Sequence, residues 1–380
     1  MAKTAKLDVK DGDILEALRT FFRSILELED IGGMLVPRQL PMNNTVMPAL
    51  VTDPAQMEGA DPLAPAFPLN AAKLVSRLTR KPMGQTLAAV LRPCEIRALV
   101  ELVKLKQGCM DELLIIATDC LGAMSNRDYA AFAGEDAAAA GRRYQRAMLD
   151  GQQPPEGARL AAACRVCEFP VPAGADLLIG LYGLPVDRML LVKAQSERGE
   201  RLLEQLGLES EDEPADRARV VADLIARRTE QRDRMFAATT EATDSIEKLT
   251  TYLAACVNCY NCRVACPVCY CKECVFVTDV FNHEPAQYLK WARRKGAIKM
   301  PTDTTFYHIT RIAHMSTACV GCGQCSNACP NDIPVMELFR TAARRTQAAF
   351  EYQAGRDLQE PPPLSVFRED ELSDVVGIGS

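Results

Sequence analysis

Seven cysteines crowd the nineteen residues "CVNCYNCRVACPVCYCKEC", 256 to 274, and part of their pattern returns further along the chain. Cys256, Cys259, Cys262 and Cys266 stand before Pro267 in the spacing C-x2-C-x2-C-x3-C-P, and Cys319, Cys322, Cys325 and Cys329 stand before Pro330 in the same spacing. Four thiolates converging on one small object is what a [4Fe-4S] cube requires: three from a tight loop and a fourth from the other motif. The usual crossing assigns Cys256, Cys259, Cys262 and Cys329 to one cluster, and Cys266, Cys319, Cys322 and Cys325 to a second. Structural zinc would use two C-x2-C pairs and has no need of the third cysteine or the Cys-Pro ending. Between the motifs lie 52 residues, including "EPAQYLKWARRK", which reads as an inserted helix that shields a cluster or faces a partner. Its lone Trp291 is expected to pack that helix.

The remaining composition narrows the chemistry. Sixteen cysteines in 380 residues exceed what a chain of this size needs as staples, so metal ligation is the default. Three histidines, His283, His308 and His314, supply imidazole sites poorly, and His308 and His314 are expected to pack or bond locally. A net charge of -6 with interleaved signs offers no nucleic-acid surface. No window reaches the roughly 18 to 20 apolar residues of a membrane span, and "MAKTAKLDVKDGDILEAL" lacks the apolar core of a signal peptide, so a cytoplasmic location is expected.

Upstream of the motifs the pattern is α/β. Residues 12–28 place Ile14, Leu18, Phe21, Phe22 and Ile25 on one helical face. "TLAAVLR" (86–92), "LLIIAT" (113–118) and "ADLLIGLYG" (175–183) read as buried strands, with a helix over 94–106, whereas the proline-rich stretch before "AAKLVSRLTRK" reads as loop. The expected architecture is an α/β domain over 1–193, a helical connector over 194–255, an α+β ferredoxin-like module over 256–345 and an extended tail over 346–380. No G-x-G-x-x-G fingerprint suggests a dinucleotide fold.

Eight cysteines stand outside the paired motifs. Cys94 and Cys120 fall where two predicted strands end, on the sheet edge where α/β proteins bind ligands, and Cys164 and Cys167 form a pair before a third strand. They could converge on a third cluster or be buried as small hydrophobes. Cys269, Cys271 and Cys274 could bind a further metal, with Cys109 as a conceivable fourth ligand, or one could replace Cys266, or all could be packed thiols.

In order, "RPCEIRALVELVKL", "DCLG", "CRVCEFPVPAGADLLIGLYG", "CVNCYNCRVACPVCYCKECVF" and "HITRIAHMSTACVGCGQCSNACPNDIPV" resemble the coenzyme F420 hydrogenase/dehydrogenase beta subunits, most closely the formate dehydrogenase type. The resemblance runs from about residue 85 to 345. It implies that Cys94, Cys120, Cys164 and Cys167 hold a third [4Fe-4S] cluster beside an FAD. It also implies a catalytic alpha subunit and a heterodisulfide-reductase-like complex as partners in anaerobic metabolism. Three departures put coenzyme F420 as a substrate in question: "DGDILEALRTFF" replaces a glycine pair, "PLAPAFPLN" replaces a loop, and Leu184–Arg188 replaces a Gly-Trp element.

The expected function is an electron-transfer beta subunit of an oxidoreductase such as a formate dehydrogenase or hydrogenase, acting only within a complex. No domain is large enough for a molybdopterin or nickel site. The alternative is a flavin-free adaptor whose clusters bridge two redox enzymes.

Overall fold

Two strands carry no polar side chain in mid-run because both their faces are covered. In β4 (Thr86–Leu91) and β5 (Leu113–Thr118), Ala88, Val90, Leu114 and Ile116 point to one apolar core, while Leu87, Ala89, Leu113 and Ile115 point to another. That is the period-two alternation of a sheet buried on both sides. The computed structural model describes residues 3–41 and 45–366.

The chain enters through β1 (Thr4–Asp8), α1 (Ile14–Leu26), β2 (Ile31–Gln39), β3 (Val46–Val51) and α2 (Ala72–Leu78). After β4 come α3 (Pro93–Lys104), β5, α4 (Asn126–Ala133), α5 (Ala137–Leu149), α6 (Ala162–Arg165), β6 (Leu177–Gly180) and β7 (Met189–Ala194). The seven strands form one sheet in the order β1-β7-β6-β5-β4-β2-β3. β2, β4, β5 and β6 run parallel, β3 and β7 run against them on the two sides, and β1 pairs antiparallel with β7 at the edge. Asp13 caps α1 by accepting from the Glu16 amide at 3.0 Å, and the predicted face Leu18, Phe21, Phe22 and Ile25 is buried. The strands expected over 86–92 and 113–118 and the helix expected over 94–106 form with small shifts of their ends, whereas the strand expected over 175–183 is confined to Leu177–Gly180.

The segment 194–255 is helical after β7: α7 (Glu197–Gln205), α8 (Ala215–Ala242) and α9 (Ile246–Tyr252). The 28-residue α8 buries Arg217, Arg228, Phe236 and Thr239 against the domain. Then follow α10 (Asn261–Ala265), α11 (Pro285–Lys295), α12 (Thr304–Met315), α13 (Gln324–Asn327) and α14 (Val335–Ala349).

Two expectations change here. The cysteine-rich module is not α+β: among the described residues no strand follows β7. The stretch after the first motif turns into short 3-10 segments, and "VMELFRTAARRTQ" after the second buries Val335, Met336, Leu338, Phe339 and Ala343 at helical spacing. The chain after 346 is also not extended from its start. α14 continues to Ala349, and Tyr352 and Ala354 are buried against α3 because the Tyr352 hydroxyl and the Gly355 amide both donate to buried Glu101, at 2.6 and 2.7 Å. The remainder of the predicted tail, 367–380, lies outside the described residues.

The module shares a core with the sheet. Leu249, Val268, Phe276, Tyr307, Val320 and Phe339 pack in one apolar cluster with Leu87, Leu91 and Ile115 and with α2 and α3. The carboxyl ends of β4 and β5 therefore open toward the paired motifs. No helix of the described residues is long and apolar enough to cross a membrane.

Candidate iron-sulfur centres and a basic cleft

Both motifs bend their backbones alike. Asn258 and Tyr260 in the first have φ of 51° and 60°, and Gly321 and Gly323, at the same places in the second, have φ of 69° and 80°. Only the second motif fills these left-handed positions with glycine; the first holds an asparagine and a tyrosine there, and a bulky residue at positive φ marks a loop over-determined by its surroundings. Tyr260 is held by the Tyr307 ring, centroids 4.9 Å apart. A one-turn helix, α10 or α13, begins directly after each bend.

Cys256, Cys259, Cys262 and Cys329 line one small cavity, walled by Tyr260, Tyr307, His308 and Pro330. Burial raises the Cys256 thiol first, and Cys262, Cys329 and Cys259 oppose its ionisation further. A second group forms around Cys266: burial pushes Cys322 up to about 12 with Cys266 and Cys319 adding to it, and Cys325 is raised by burial and then by Cys266, Cys322 and Cys319.

The third group comes from three places in the fold. Cys94 opens α3 beyond β4, Cys120 follows β5, and Cys164 and Cys167 flank the end of α6. The Cys120 amide donates to Pro170 O at 2.7 Å and the Ala123 amide to Cys164 Sγ at 3.4 Å, which ties the β5 exit to the α6 loop. Burial pushes Cys164 up to about 12, followed by Cys120 and Cys167. Cys94 is raised by burial, by Glu95, and then by Cys322, Cys120 and Cys167, so it faces both its own group and the second one.

Burial holds the thiols of Cys94, Cys120, Cys164, Cys256, Cys266, Cys319, Cys322 and Cys325 in their protonated form, and iron would have to displace those protons to bind. The donor sets fit a cube: sulfur donors in fours, the first set around one cavity. Among the described residues no three His, Cys, Asp or Glu side chains close on a point as a single ion requires. A cube, with iron at four corners, spreads its ligands wider than that.

The extra cysteines are spread out. Cys269 and Cys274 are half-buried on the module's core, Cys271 is exposed, and burial followed by Cys266 pushes the Cys269 thiol up to about 11. Cys109 lies before β5, at the opposite sheet edge from Cys94 and Cys120, its amide donating to Thr79 Oγ1 at 3.1 Å. Trp291 contacts His283 and Tyr288 within the insertion, with centroids 4.9 and 5.5 Å away.

Residue spacing did not reveal what α12 contributes. Tyr307, His308 and Arg311 are buried and reach the first group: Tyr307 Oη lies 3.4 Å from Cys262 Sγ, His308 Nε2 lies 3.4 Å from Cys256 Sγ, and Arg311 Nη1 donates to Cys262 Sγ at 3.0 Å. The one available signal was their i, i+1, i+4 placement on an amphipathic helix beside the second motif.

A cleft of about 950 Å³ runs beside the groups. Lys73, Arg77, Arg127, Arg159 and Arg165 make it basic, against Asp128, Asp332 and Glu337, and Cys329 lies in its wall. Its other wall is Phe67–Asn70, the end of the proline-rich stretch, which is buried from Ala60 to Phe67 although its first half is largely exposed. Arg92 donates to Ala64 O and Ala66 O at 3.1 and 2.6 Å, and Gln324 Nε2 to Phe67 O at 3.1 Å. Of the three departures noted in the sequence, Phe67–Asn70 alone line this cleft; 11–22 and 184–188 do not.

Residues 313–335 match the model of the 4Fe-4S binding domain, so the chain carries an iron-sulfur module of that type. It is 25% identical over 379 residues to the F420-dependent formate dehydrogenase subunit beta of Methanocaldococcus jannaschii, covering 93% of this chain and 94% of that one. The chain is a relative of these beta subunits. Like them, it is a subunit of an oxidoreductase. The F420-dependent formate dehydrogenase 1 subunit beta of Methanococcus maripaludis is also 25% identical over 309 residues, 73% of this chain and 75% of that one. The F420-reducing [NiFe] hydrogenase complex from Methanosarcina barkeri, solved as a xenon derivative, gives a TM-score of 0.47 at 13% identity, over 64% of this chain and 94% of that chain.

Proposed function

We propose that this beta-subunit relative is the electron-transfer subunit of a cytoplasmic formate dehydrogenase or hydrogenase-type complex, with three [4Fe-4S] clusters and an FAD. Cys94, Cys120, Cys164 and Cys167 would hold one cluster, Cys266, Cys319, Cys322 and Cys325 the next, and Cys256, Cys259, Cys262 and Cys329 the last. When bound, the flavin takes or gives an electron pair and the clusters carry single electrons.

The observation that carries the reading is the serial order of the thiol groups. Cys94 of the third group faces Cys322 of the second, and the second meets the first across Arg311, whose charge acts on Cys262, Cys266 and Cys325. The series ends at Cys259, which is exposed and so offers a partner subunit its shortest approach. The basic cleft suits the pyrophosphate of a dinucleotide, with Lys73, Arg77, Arg127, Arg159 and Arg165 as candidate contacts. A catalytic alpha subunit, and heterodisulfide-reductase-like subunits, would take up the electrons at Cys259. The relatives' names point to coenzyme F420 as the soluble carrier, and Phe67–Asn70, where this chain departs from the resembling family, would have to admit it.

The test is anaerobic purification of the full chain with iron, acid-labile sulfide, zinc and flavin counted per chain. The proposal expects about twelve irons and one FAD. Eight or fewer irons would remove the third cluster, and iron without flavin would make the chain an adaptor. Anaerobic mixing with reduced coenzyme F420 tests the carrier, and unchanged flavin absorbance would exclude it.

A further inference from the structure

Arg311 is a buried cation without an anion of the ordinary kind. Its residue is 4% exposed, and among the described residues no carboxylate lies within ion-pair range of it. The contrast is Arg217, equally buried and paired with Asp119 at 2.6 Å. A guanidinium keeps its charge at any pH a protein survives, and burying it without a counter-charge is strongly unfavourable. Its Nη1 donates to Cys262 Sγ at 3.0 Å and its Nη2 to Cys262 O at 3.1 Å, while the Phe339 ring covers it at 4.5 Å. Among the described residues, the anions this charge can meet are the thiolates that would form when iron binds.

We propose that Arg311 tunes the ferredoxin pair, raising the reduction potential of the cluster held by Cys256, Cys259, Cys262 and Cys329 more than that of its neighbour. The inference rests on the cluster reading given above. Adding one electron makes a thiolate-ligated cluster more negative, and a fixed positive charge favours the more negative state. The effect is large in a water-poor interior and falls with distance. Cys262 receives a direct hydrogen bond, whereas Cys266 and Cys325 of the neighbouring group feel the charge less strongly. The electron is thereby drawn toward the group with the exposed Cys259, the one nearest a partner. Tyr307 and His308 add neutral contacts to the same group from the same helix.

Redox titration of the full chain followed by electron paramagnetic resonance reads this directly, in wild type, Arg311→Gln and Arg311→Lys. Glutamine keeps a donor near Cys262 and loses the charge; lysine keeps the charge. The expected result is a shift of at least tenfold in the partition of one electron between the two ferredoxin clusters in Arg311→Gln, about 59 mV for a one-electron couple. Arg311→Lys should restore most of it, with the Cys94/Cys120/Cys164/Cys167 signal unmoved in both. Equal potentials in wild type and Arg311→Gln would overturn the proposal, as would a lysine variant that behaves like glutamine. Loss of the first cluster's iron in both variants would also overturn it, because Arg311 would then be a structural support. A wild-type chain without two ferredoxin signals would defeat the cluster reading itself, a failure seen before any variant is made.

Discussion

Arg217 grips Asp119 with two hydrogen bonds, Nη1 to Oδ2 at 2.6 Å and Nη2 to Oδ1 at 3.0 Å, and neither side chain reaches solvent. The same carboxylate accepts from the Leu181 and Tyr182 amides at 2.8 and 3.0 Å, and Arg217 Nη1 also donates to Tyr182 O at 2.9 Å. One pair thus binds α8 to the exits of β5 and β6, immediately before Cys120. Asp119→Ala leaves the buried Arg217 guanidinium with Glu213 as its one carboxylate among the described residues, at 3.1 Å, and takes the acceptor from two amides, which should cost about 3–5 kcal/mol. The expected outcome is a lower melting temperature and loss of the iron held beside Cys120. Asp119→Leu combined with Arg217→Met should regain most of the stability, since no charge is left unpaired. Equal melting of the single and double variants would show that the pair is not what fixes this corner.

Cys120 itself separates a third cluster from a buried thiol. Cys120→Ala should lower iron by about four per chain, one cube, and leave both ferredoxin signals in place. With the proposed FAD bound, it should also interrupt reduction of the ferredoxin pair by the flavin. Unchanged iron would mean that Cys120 is packing, as its burial alone would allow.

What the sequence made legible follows from how each element is buried. β4, β5 and β6 are central, and their apolar runs announce it. β2 and β3 escaped notice because they contain Gly32, Gly33, Pro37 and Pro48, residues that ordinarily argue against a strand. They are tolerated here because Pro37 and Pro48 face each other across the β2–β3 pair at the sheet's end. The paired motifs were legible from spacing alone, since ligands of a cube must come from tight loops. The third group depended on knowing that β4 and β5 are neighbours, which turns Cys94 and Cys120 into residues of one edge. Arg311 gave no such sign, because an arginine in a helix is usually a solvated one.

The chain beyond α14 is fastened at Glu101. Its carboxylate accepts from Tyr352 Oη at 2.6 Å and the Gly355 amide at 2.7 Å, and lies 3.4 Å from Lys104 Nζ. Arg97 adds two hydrogen bonds to Ala354 O, at 3.1 and 2.9 Å. Tyr352→Phe should cost about 1–3 kcal/mol by leaving a buried acceptor short of a donor. Glu101→Ala, which strands Lys104, should cost more. Limited trypsin digestion should cut after Arg356 faster in both variants, and faster in Glu101→Ala. Equal cutting in all three proteins would show that the segment is held by something else.

Asp61 gives a prediction that depends on pH. Its Oδ2 accepts from Gln39 Nε2 at 3.2 Å, and its Oδ1 finds no partner among the described residues. Burial raises this carboxyl above the ordinary aspartate range, and Gln39 and Arg19 offset the effect only in part. A carboxyl whose folded pKa is raised binds its proton more tightly in the folded state than in the unfolded one. Folding stability therefore falls as pH rises from the ordinary value, near 4, through the folded one, and the penalty is complete above the folded value. Asp61→Asn removes the charge and keeps an acceptor for Gln39, so it should raise stability at pH 7 by about 1–2 kcal/mol. The advantage over wild type should shrink as the pH is lowered toward 4. Urea unfolding of both proteins across that range measures the difference. A gain independent of pH, or a loss of stability at pH 7, would show that the carboxylate is paired after all. The position adds interest to the result: Asp61 opens the loop whose far end, Phe67–Asn70, walls the basic cleft. A buried charge kept there at a cost to stability is what a binding site, rather than a core, tends to retain.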